Sequence, residues 1–265
     1  MNKVVSIAVL VGTMWSVAPA HGQDAVTVSF SNPARPGLLK VVIMNGGIRV
    51  TEHSGKDVIF ESRGSNNRGG RRDQSDGLRR IDSNAAGLTI EEENNVMNVV
   101  SRNAGRSGDL EIKVPAKTNL NLRTMNGGDL VVEGVEGEIE VNNMNGGIML
   151  INVSGSVIAS SANGRVAASL RQVMPDKPMS FTSHNGNVDI TLPANAKATL
   201  KMRTDNGGTY SDFDVQLRPT SVVEERQNGR YRLQTDKTLS GTINGGGPEF
   251  NLRTLNGNIY IRQGK

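Results

Sequence analysis

The best candidate for acid–base chemistry in this sequence is a run of glutamates near its middle. On a β-strand, Glu138 and Glu140 would project from one face, with Ile139 and Val141 on the other. Carboxylates gathered on one face can cleave a polysaccharide or hold Ca²⁺. Outward-facing carboxylates more commonly solubilise and protect a sheet, so we predict neither a catalytic site nor a metal site here. The run consists of Glu133, Glu136, Glu138 and Glu140, with Asp129 shortly before it.

Histidine, serine and glycine motifs add no further candidate for chemistry. His53 and His184 fall in separate parts of the chain, and neither has a second histidine or a cysteine at ligand spacing. The sequence contains no G-x-S-x-G nucleophile motif, no phosphate-binding loop and no calcium-binding nonapeptide repeat. We therefore predict a protein that is not an enzyme and that uses no cofactor.

An arginine-rich segment, residues 62–80, is the one concentrated positive charge. Arginine forks suit phosphate and carboxylate, so an anionic envelope polymer or a lipid headgroup is a candidate partner. Only Leu78 is apolar in this segment, which therefore cannot bury a core and is predicted to be a mobile, solvated loop. The candidate contacts are Arg68, Arg71, Arg72, Arg79 and Arg80.

The first twenty residues have the features of a secretory signal peptide. Lys3 is followed by an apolar run, and Ala18-Pro19-Ala20 provides the small residues that signal peptidase needs. We predict cleavage after Ala20 or after Gly22. The apolar run is too short to span a bilayer comfortably, and no second span follows. The protein is thus expected to be exported, in the periplasm or at the cell surface, without a transmembrane span.

The composition of the remaining chain excludes several classes of protein. Removing Lys3 leaves 29 basic and 26 acidic residues, a net charge of +3, which is too low for a generally basic nucleic-acid-binding protein. The chain contains no cysteine, so neither disulfides nor a lipoprotein anchor can stabilise or tether it. Few aromatic residues remain, which weighs against the aromatic platforms typical of glycan binding.

The dominant pattern is a recurring Asn-Gly pair. From residue 126 onward the pairs are separated by 19, 18, 22 and 21 residues, and then by 38, close to two periods. We predict that these pairs are equivalent corners of a repeating structure. They are Asn45-Gly46, Asn126-Gly127, Asn145-Gly146, Asn163-Gly164, Asn185-Gly186, Asn206-Gly207, Asn244-Gly245 and Asn256-Gly257.

The segments between the corners predict short strands. Apolar residues alternate with other residues in each segment, and no stretch has helical periodicity outside the signal peptide. The phrase Arg-Thr-x-Asn-Gly also occurs three times, beginning at Arg123, Arg203 and Arg253. The fold class is therefore all-β. The apolar pairs expected to face inward are Ile139 and Val141, Ile148 and Leu150, Val166 and Ala168, and Val188 and Ile190.

Two architectures fit this pattern. Asn-Gly is the strongest signal for a two-residue hairpin turn, so stacked antiparallel hairpins are one alternative. A parallel β-solenoid with coils of about 20 residues fits better, because a second kind of turn lies midway between the Asn-Gly pairs. Stacked asparagines would form an amide ladder, and glycine would allow a corner where a Cβ would clash. We expect a single domain over 21–265, with the 62–80 loop and a hairpin at 87–101 inserted.

Several phrases of the repeat carry a family resemblance. The segment from Asp109 to Pro115, the Arg-Thr-x-Asn-Gly phrase, Val153-Ser-Gly155 and the closing Leu255-Asn-Gly-Asn-Ile-Tyr260 resemble the bacterial "putative adhesin" family, domain of unknown function 4097. The resemblance covers residues 38–61 and 108–262. It implies a right-handed β-solenoid that is exported, and it supplies no catalytic residues.

The sequence thus favours an exported, non-enzymatic envelope or surface scaffold, adhesive in role, with an extended partner that is a protein or an envelope polymer. Two alternatives stay open. One is a β-helix protein that binds or cleaves polysaccharide, and the other is an envelope-stress accessory that binds a protein partner.

Overall fold

The computed structural model describes residues 25–64, 88–101, 108–219, 222–227, 230–235 and 237–264. Within these ranges the chain forms 22 β-strands and no helix, which confirms the all-β class. Accordingly, the described ranges offer no helix with the length and apolar character needed to cross a membrane. The predicted signal peptide, residues 1–20, and the candidate arginines between 68 and 80 lie outside the described residues.

The strands fall into three successive groups along the chain. The first comprises β1 (Ala25–Ser29), β2 (Gly37–Asn45), β3 (Ile48–His53), β4 (Asp57–Gly64), β5 (Leu88–Glu93), β6 (Val96–Ser101) and β7 (Gly108–Pro115). The second comprises β8 (Thr118–Asn126), β9 (Leu130–Glu133), β10 (Glu136–Asn145), β11 (Ile148–Ser161), β12 (Val166–Leu170), β13 (Met179–Asn185), β14 (Val188–Leu192), β15 (Ala198–Asn206) and β16 (Thr209–Ser211). The third comprises β17 (Gln216–Leu217), β18 (Val222–Gln227), β19 (Arg230–Thr235), β20 (Leu239–Ile243), β21 (Glu249–Asn256) and β22 (Ile259–Gln263).

Two stacks of strands, which we call sheet I and sheet II, form the body of the molecule. Sheet I has the order β5-β6-β2-β8-β10-β11-β13-β21-β15-β20-β17. Sheet II has the order β1-β4-β7-β3-β9-β11-β12-β14-β22-β16. The long strand β11 belongs to both, with its first part in sheet II and its second in sheet I, and so joins them into one curled, mixed sheet of 20 strands. β18 and β19 form a separate pair.

The repeating strands pair in parallel. Every pairing from β6 to β15 in sheet I, and from β7 to β16 in sheet II, is parallel. Among the described residues, antiparallel pairs occur only at the ends of the two sheets and in the β18–β19 pair. The repeat is therefore not a stack of antiparallel hairpins. The handedness of its winding and its coil size stay predictions.

The core lies between the two sheets and is filled by one side-chain row from each strand. All four apolar pairs expected to face inward are buried, and each contributes to a single cluster. On β10 the alternation is clear, because Ile139 and Val141 are at most 2% exposed whereas Glu138 faces solvent. Phe60, Phe181 and Phe250 are the largest of the fully buried side chains.

The strand order departs from the chain order at the carboxyl end. β21 lies between β13 and β15, and β22 lies between β14 and β16. Consequently Asn256, rather than Asn206, is in register with Asn185. The cause is β20, which pairs antiparallel with β15, so that the following turn carries the chain to the opposite edge of β15.

That turn contains Asn244 and Gly245, whose prediction as a repeat corner was wrong. Both residues adopt positive φ, 48° and 85°, and Gly246 donates its N–H to the carbonyl of Ile243 at 3.0 Å. The Asn244 amide donates to the carbonyls of Ala194 and Ala196, at 3.2 and 2.8 Å, and not to a neighbouring asparagine. The pair therefore forms a reversing turn, which is the other structure that Asn-Gly favours.

The segment between β4 and β7 extends one end of sheet I. β5 and β6 pair antiparallel through a turn at Asn94 and Asn95, both with positive φ, at 53° and 67°. β4 continues to Gly64, so the first residues of the predicted 62–80 loop belong to a strand, and the rest lie outside the described residues.

Candidate functional site

Asparagine side chains form a hydrogen-bonded ladder along one corner of the molecule, where strands of sheet I end. Five amides each donate an Nδ2–H to the Oδ1 of the asparagine on the adjacent strand, at 2.7–3.1 Å, and Asn126 at one end accepts. Such a ladder holds neighbouring strands in one register. Asn45 is in register with Asn126 at one end. The ladder asparagines are, in spatial order, Asn126, Asn145, Asn163, Asn185, Asn256 and Asn206.

A row of inward-facing polar side chains, two residues before the ladder asparagines, locks the same corner from inside. The hydroxyl of Thr254, fully buried, donates to the carbonyl of Gly186 on the adjacent strand at 2.8 Å. Equivalent bonds recur along the stack and give each of these glycine carbonyls a side-chain donor. The row consists of Thr124, Asn143, Ser161, Ser183, Thr254 and Thr204.

A third set of bonds caps backbone groups on the far side of the corner. Asp129 accepts from the N–H of Gly147 at 2.8 Å, and Asp109 accepts from the N–H of Gly47 at 2.8 Å. Asn258 accepts from the N–H of Gly208 at 2.9 Å. Asp129 is thus engaged as a cap, which explains why an acidic or amide residue follows several of the glycines.

The corner glycines stack directly on one another. A Cβ added at Gly164 would overlap the carbonyl oxygen of Gly146, and Gly186, Gly257 and Gly207 meet their neighbours in the same way. Gly127 is an exception. It has φ of +69° with open space around it, and Gly128 takes the place in the stack, so its assignment as an equivalent corner glycine was wrong by one residue.

The glutamate run does not converge on one site. Glu133 ends β9 in sheet II, whereas Glu136 begins β10 in sheet I, so the run crosses between sheets. Glu138 pairs with Lys177 at 3.0 Å, and Glu140 pairs with Arg123 at 3.2 Å. In the described part of the chain, no three histidine or acidic residues are grouped so that they could hold a metal ion.

The two histidines occupy different settings. His53 accepts from the N–H of Gly55 at Nδ1, at 3.0 Å, so its proton is on Nε2, which donates to the carbonyl of Asp57 at 2.7 Å. His53 therefore closes a turn. His184 is exposed on the outer face of sheet I, at the position before ladder Asn185.

His184 borders a shallow depression on the outer face of sheet I, with a volume of about 370 Å³. Arg253 lies across it on the adjacent strand, in register with Thr182. Because β21 inserts between β13 and β15, this juxtaposition could not be read from the chain order. The depression is lined by Thr182, Ser183, His184, Asn251, Arg253 and Leu255.

The depression lies within a line of outward-facing polar side chains that crosses sheet I. We call this line the polar row. Two of its arginines are neutralised locally, Arg123 by Glu140 and Arg203 by Asp205, each at 3.2 Å. Arg253 has no ion-pair partner among the described residues, so its guanidinium is available to an external anion. The polar row is, in register, Arg123, Asn142, Ser160, Thr182, Arg253 and Arg203.

Sheet II carries a second cluster, built around Asp189. This carboxylate is only 10% exposed and pairs with Arg165 and Arg262, each at 2.9 Å. The hydrogen bond to Asp189, together with its charge, raises the pKa of Arg262 above its ordinary value. Beside it the rings of Tyr260 and Tyr210 stack, with centroids 5.2 Å apart, and Tyr210 is 55% exposed. Sequence reasoning missed this pair, although each tyrosine follows a ladder asparagine by four residues.

Comparison with known proteins identifies relatives of the repeat region. The profile of the Toastrack DUF4097 family matches residues 80–262. Two solved structures align with most of the chain, a "putative cell adhesion protein" from Clostridium sporogenes and a "putative adhesin" from Bacteroides fragilis. The first has 10% identity and a TM-score of 0.47, and covers 92% of this chain and 100% of its own. The second has 12% identity and a TM-score of 0.34, and covers 91% and 98%. No curated protein matches.

Proposed function

Because the chain belongs to the Toastrack DUF4097 family, we propose that it is an exported, non-enzymatic scaffold of the bacterial envelope or surface with an adhesive role. Export is supported by Lys3, the apolar run that follows and Ala18-Pro19-Ala20. A non-enzymatic role is supported by the bonded state of the central carboxylates, since Glu138 and Glu140 are ion-paired and Asp129 caps a backbone N–H.

The proposed scaffold is a right-handed parallel β-solenoid with coils of about 20 residues. Ladder partners that follow one another in the chain are 19, 18 and 22 residues apart, which supports a coil of this length. Side-chain hydrogen bonds recur at successive corners, so the strands of sheet I are held in a regular register. A rigid face of this kind suits an extended partner, because little conformational freedom is lost when it binds.

The observation that carries the proposal is Arg253 at the depression in the polar row. Its guanidinium has no acidic partner among the described residues, and Thr182 and Asn251 lie beside it as hydrogen-bonding groups. The imidazole of His184 borders the same depression and adds a further hydrogen-bonding group. We infer that the extended partner is an acidic envelope polymer whose carboxylates or phosphates pair with Arg253.

Replacing Arg253 with alanine is expected to weaken binding to an acidic polymer about fivefold, because one charge-assisted contact is worth about 1 kcal/mol on an exposed surface. Affinity electrophoresis of the purified protein in gels containing polygalacturonate measures the effect as the retardation at each polymer concentration. Arg49→Ala is the matched control, since Arg49 is exposed on the outer face of sheet II and the charge change is identical.

Equal weakening by both substitutions would show that only net charge matters, and would contradict a site at Arg253. Absence of retardation of the wild-type protein would contradict an acidic polymer as the partner. A neutral glycan is the second candidate, favoured by the stacked Tyr210 and Tyr260 beside Arg262. Retardation by dextran that disappears in Tyr210→Ala would select it.

A further inference from the structure

Three methionines form a solvent-exposed row beside the asparagine ladder. Met44, Met125 and Met144 lie on the adjacent strands β2, β8 and β10, and each immediately precedes an asparagine of the in-register corner. They are 44%, 39% and 48% exposed. Their side chains therefore stand next to one another on the outer face of sheet I rather than in the core.

The chemistry of this row is that of a soft ligand set. Thioether sulfur is a neutral donor that selects soft cations such as Cu(I). Adjacent strands are about 4.8 Å apart, and a methionine side chain has three rotatable bonds, so sulfurs on neighbouring strands can turn toward one ion. We propose that Met44, Met125 and Met144 bind a soft monovalent cation, Cu(I) or Ag(I), with Met125 as the central ligand.

The surroundings of the row are compatible with a single positive ion. The nearest cation of the polar row, Arg123, is paired with Glu140 at 3.2 Å, so its charge is locally compensated. The chain has no cysteine, so no thiolate elsewhere in it competes for a soft ion. His184 occupies the equivalent position on β13, but Ala162, directly after β11, separates it from Met144, and it is not part of the site.

Met149 provides an internal comparison. It is exposed to the same extent, 44%, but lies on sheet II with Val131 and Ala167 as its in-register neighbours. A lone thioether chelates weakly, whereas a row of three brings several donors to one ion. If any exposed methionine bound soft ions, Met149 would contribute to the affinity as much as Met125 does. If the affinity arises from the row, Met149 should contribute nothing.

The test is a titration of the purified protein with silver nitrate in chloride-free buffer, in which isothermal titration calorimetry measures the affinity and the stoichiometry. We expect one tight equivalent of Ag(I), with affinity at least tenfold weaker in Met125→Leu and unchanged within twofold in Met149→Leu. Leucine is apolar and has nearly the volume of methionine, so both variants should fold. Circular dichroism verifies that they do. Met44→Leu removes a ligand at one end of the row, and we expect its affinity for Ag(I) to lie between those of the wild type and Met125→Leu.

Two results would overturn the proposal. One is a wild-type protein that binds Ag(I) no more tightly than Met125→Leu. The other is an equal loss in Met149→Leu, which would indicate independent thioethers. Anaerobic competition with bicinchoninate for Cu(I) repeats the comparison with the second ion and must rank the variants in the same order. All histidines are unchanged in each variant, so any histidine-bound metal contributes equally throughout.

Discussion

Gly164→Ala is expected to destabilise the protein by about 3 kcal/mol, a value at the upper end for overpacking in a rigid environment. The added Cβ would overlap the carbonyl oxygen and carbon of Gly146 on the adjacent strand. Both atoms belong to backbone that is fixed by the ladder bond between Asn163 and Asn145, 2.9 Å, so they cannot move without separating the strands. Urea denaturation gives the free energy of unfolding.

Gly127→Ala is the matched control for that substitution. Gly127 has φ of +69° and no atom within 4 Å of the position of a Cβ, so alanine there bears only the left-handed backbone penalty of about 1 kcal/mol. The two glycines occupy the same place in the sequence motif, directly after a ladder asparagine. A similar loss in both variants would mean that the glycine stack does not exist as described.

Thr254→Val is expected to cost about 2 kcal/mol. Thr254 is fully buried, and its hydroxyl donates to the carbonyl of Gly186 at 2.8 Å. Valine has nearly the same shape, so packing is retained, but the Gly186 carbonyl beside the buried side chain loses its donor. The change in the midpoint of urea unfolding, at constant slope, measures the effect.

Thr191→Val provides the baseline for this experiment. Thr191 lies on β14 in sheet II, is only half-buried, and its hydroxyl has no hydrogen bond in the described part of the chain. Its replacement should change stability by less than about 0.5 kcal/mol. If Thr254→Val were as mild as Thr191→Val, the inward polar row would be incidental to the corner.

Much of the architecture follows from local pattern. Alternation of Ile139 and Val141 with glutamates predicts the buried face of β10, and their exposure of at most 2% confirms it. The recurrence of Asn-Gly predicts a common corner, because glycine, which has no Cβ, is needed wherever coils stack closely. These features depend on residues a few positions apart, which is why the sequence alone suffices for them.

The order of the last strands could not be predicted in this way. The segments around Asn126, Asn206 and Asn256 carry nearly the same phrase, so each could stack on Asn185 equally well by local criteria. What decides the order is the antiparallel pairing of β20 with β15, a long-range contact between segments with no shared motif. The Asn244-Gly245 turn then resembles a corner in sequence while reversing the chain.

Two sets of residues were missed for different reasons. The threonine of the Arg-Thr-x-Asn-Gly phrase was noticed as a repeat, but its role required knowing that it faces inward toward a glycine carbonyl of the next strand. A polar residue two positions before Asn-Gly is the signal that could have found it. The stacking of Tyr210 on Tyr260, and the position of Arg253 and His184 at one depression, depend wholly on the inserted strands.

The insertion of β21 between β13 and β15 is therefore the feature on which the proposed polymer site rests, and cysteine cross-linking tests it directly. The chain contains no cysteine, so pairs can be introduced without background. Adjacent in-register strands are about 4.8 Å apart, within the Cα range for a disulfide, whereas strands two apart are separated by about 9.6 Å, beyond it. Asn185→Cys with Asn256→Cys should cross-link on mild oxidation, and Asn185→Cys with Asn206→Cys should not, as read by mass spectrometry of the linked peptides. Cross-linking of the 185–206 pair in place of the 185–256 pair would contradict the stack and the site built on it.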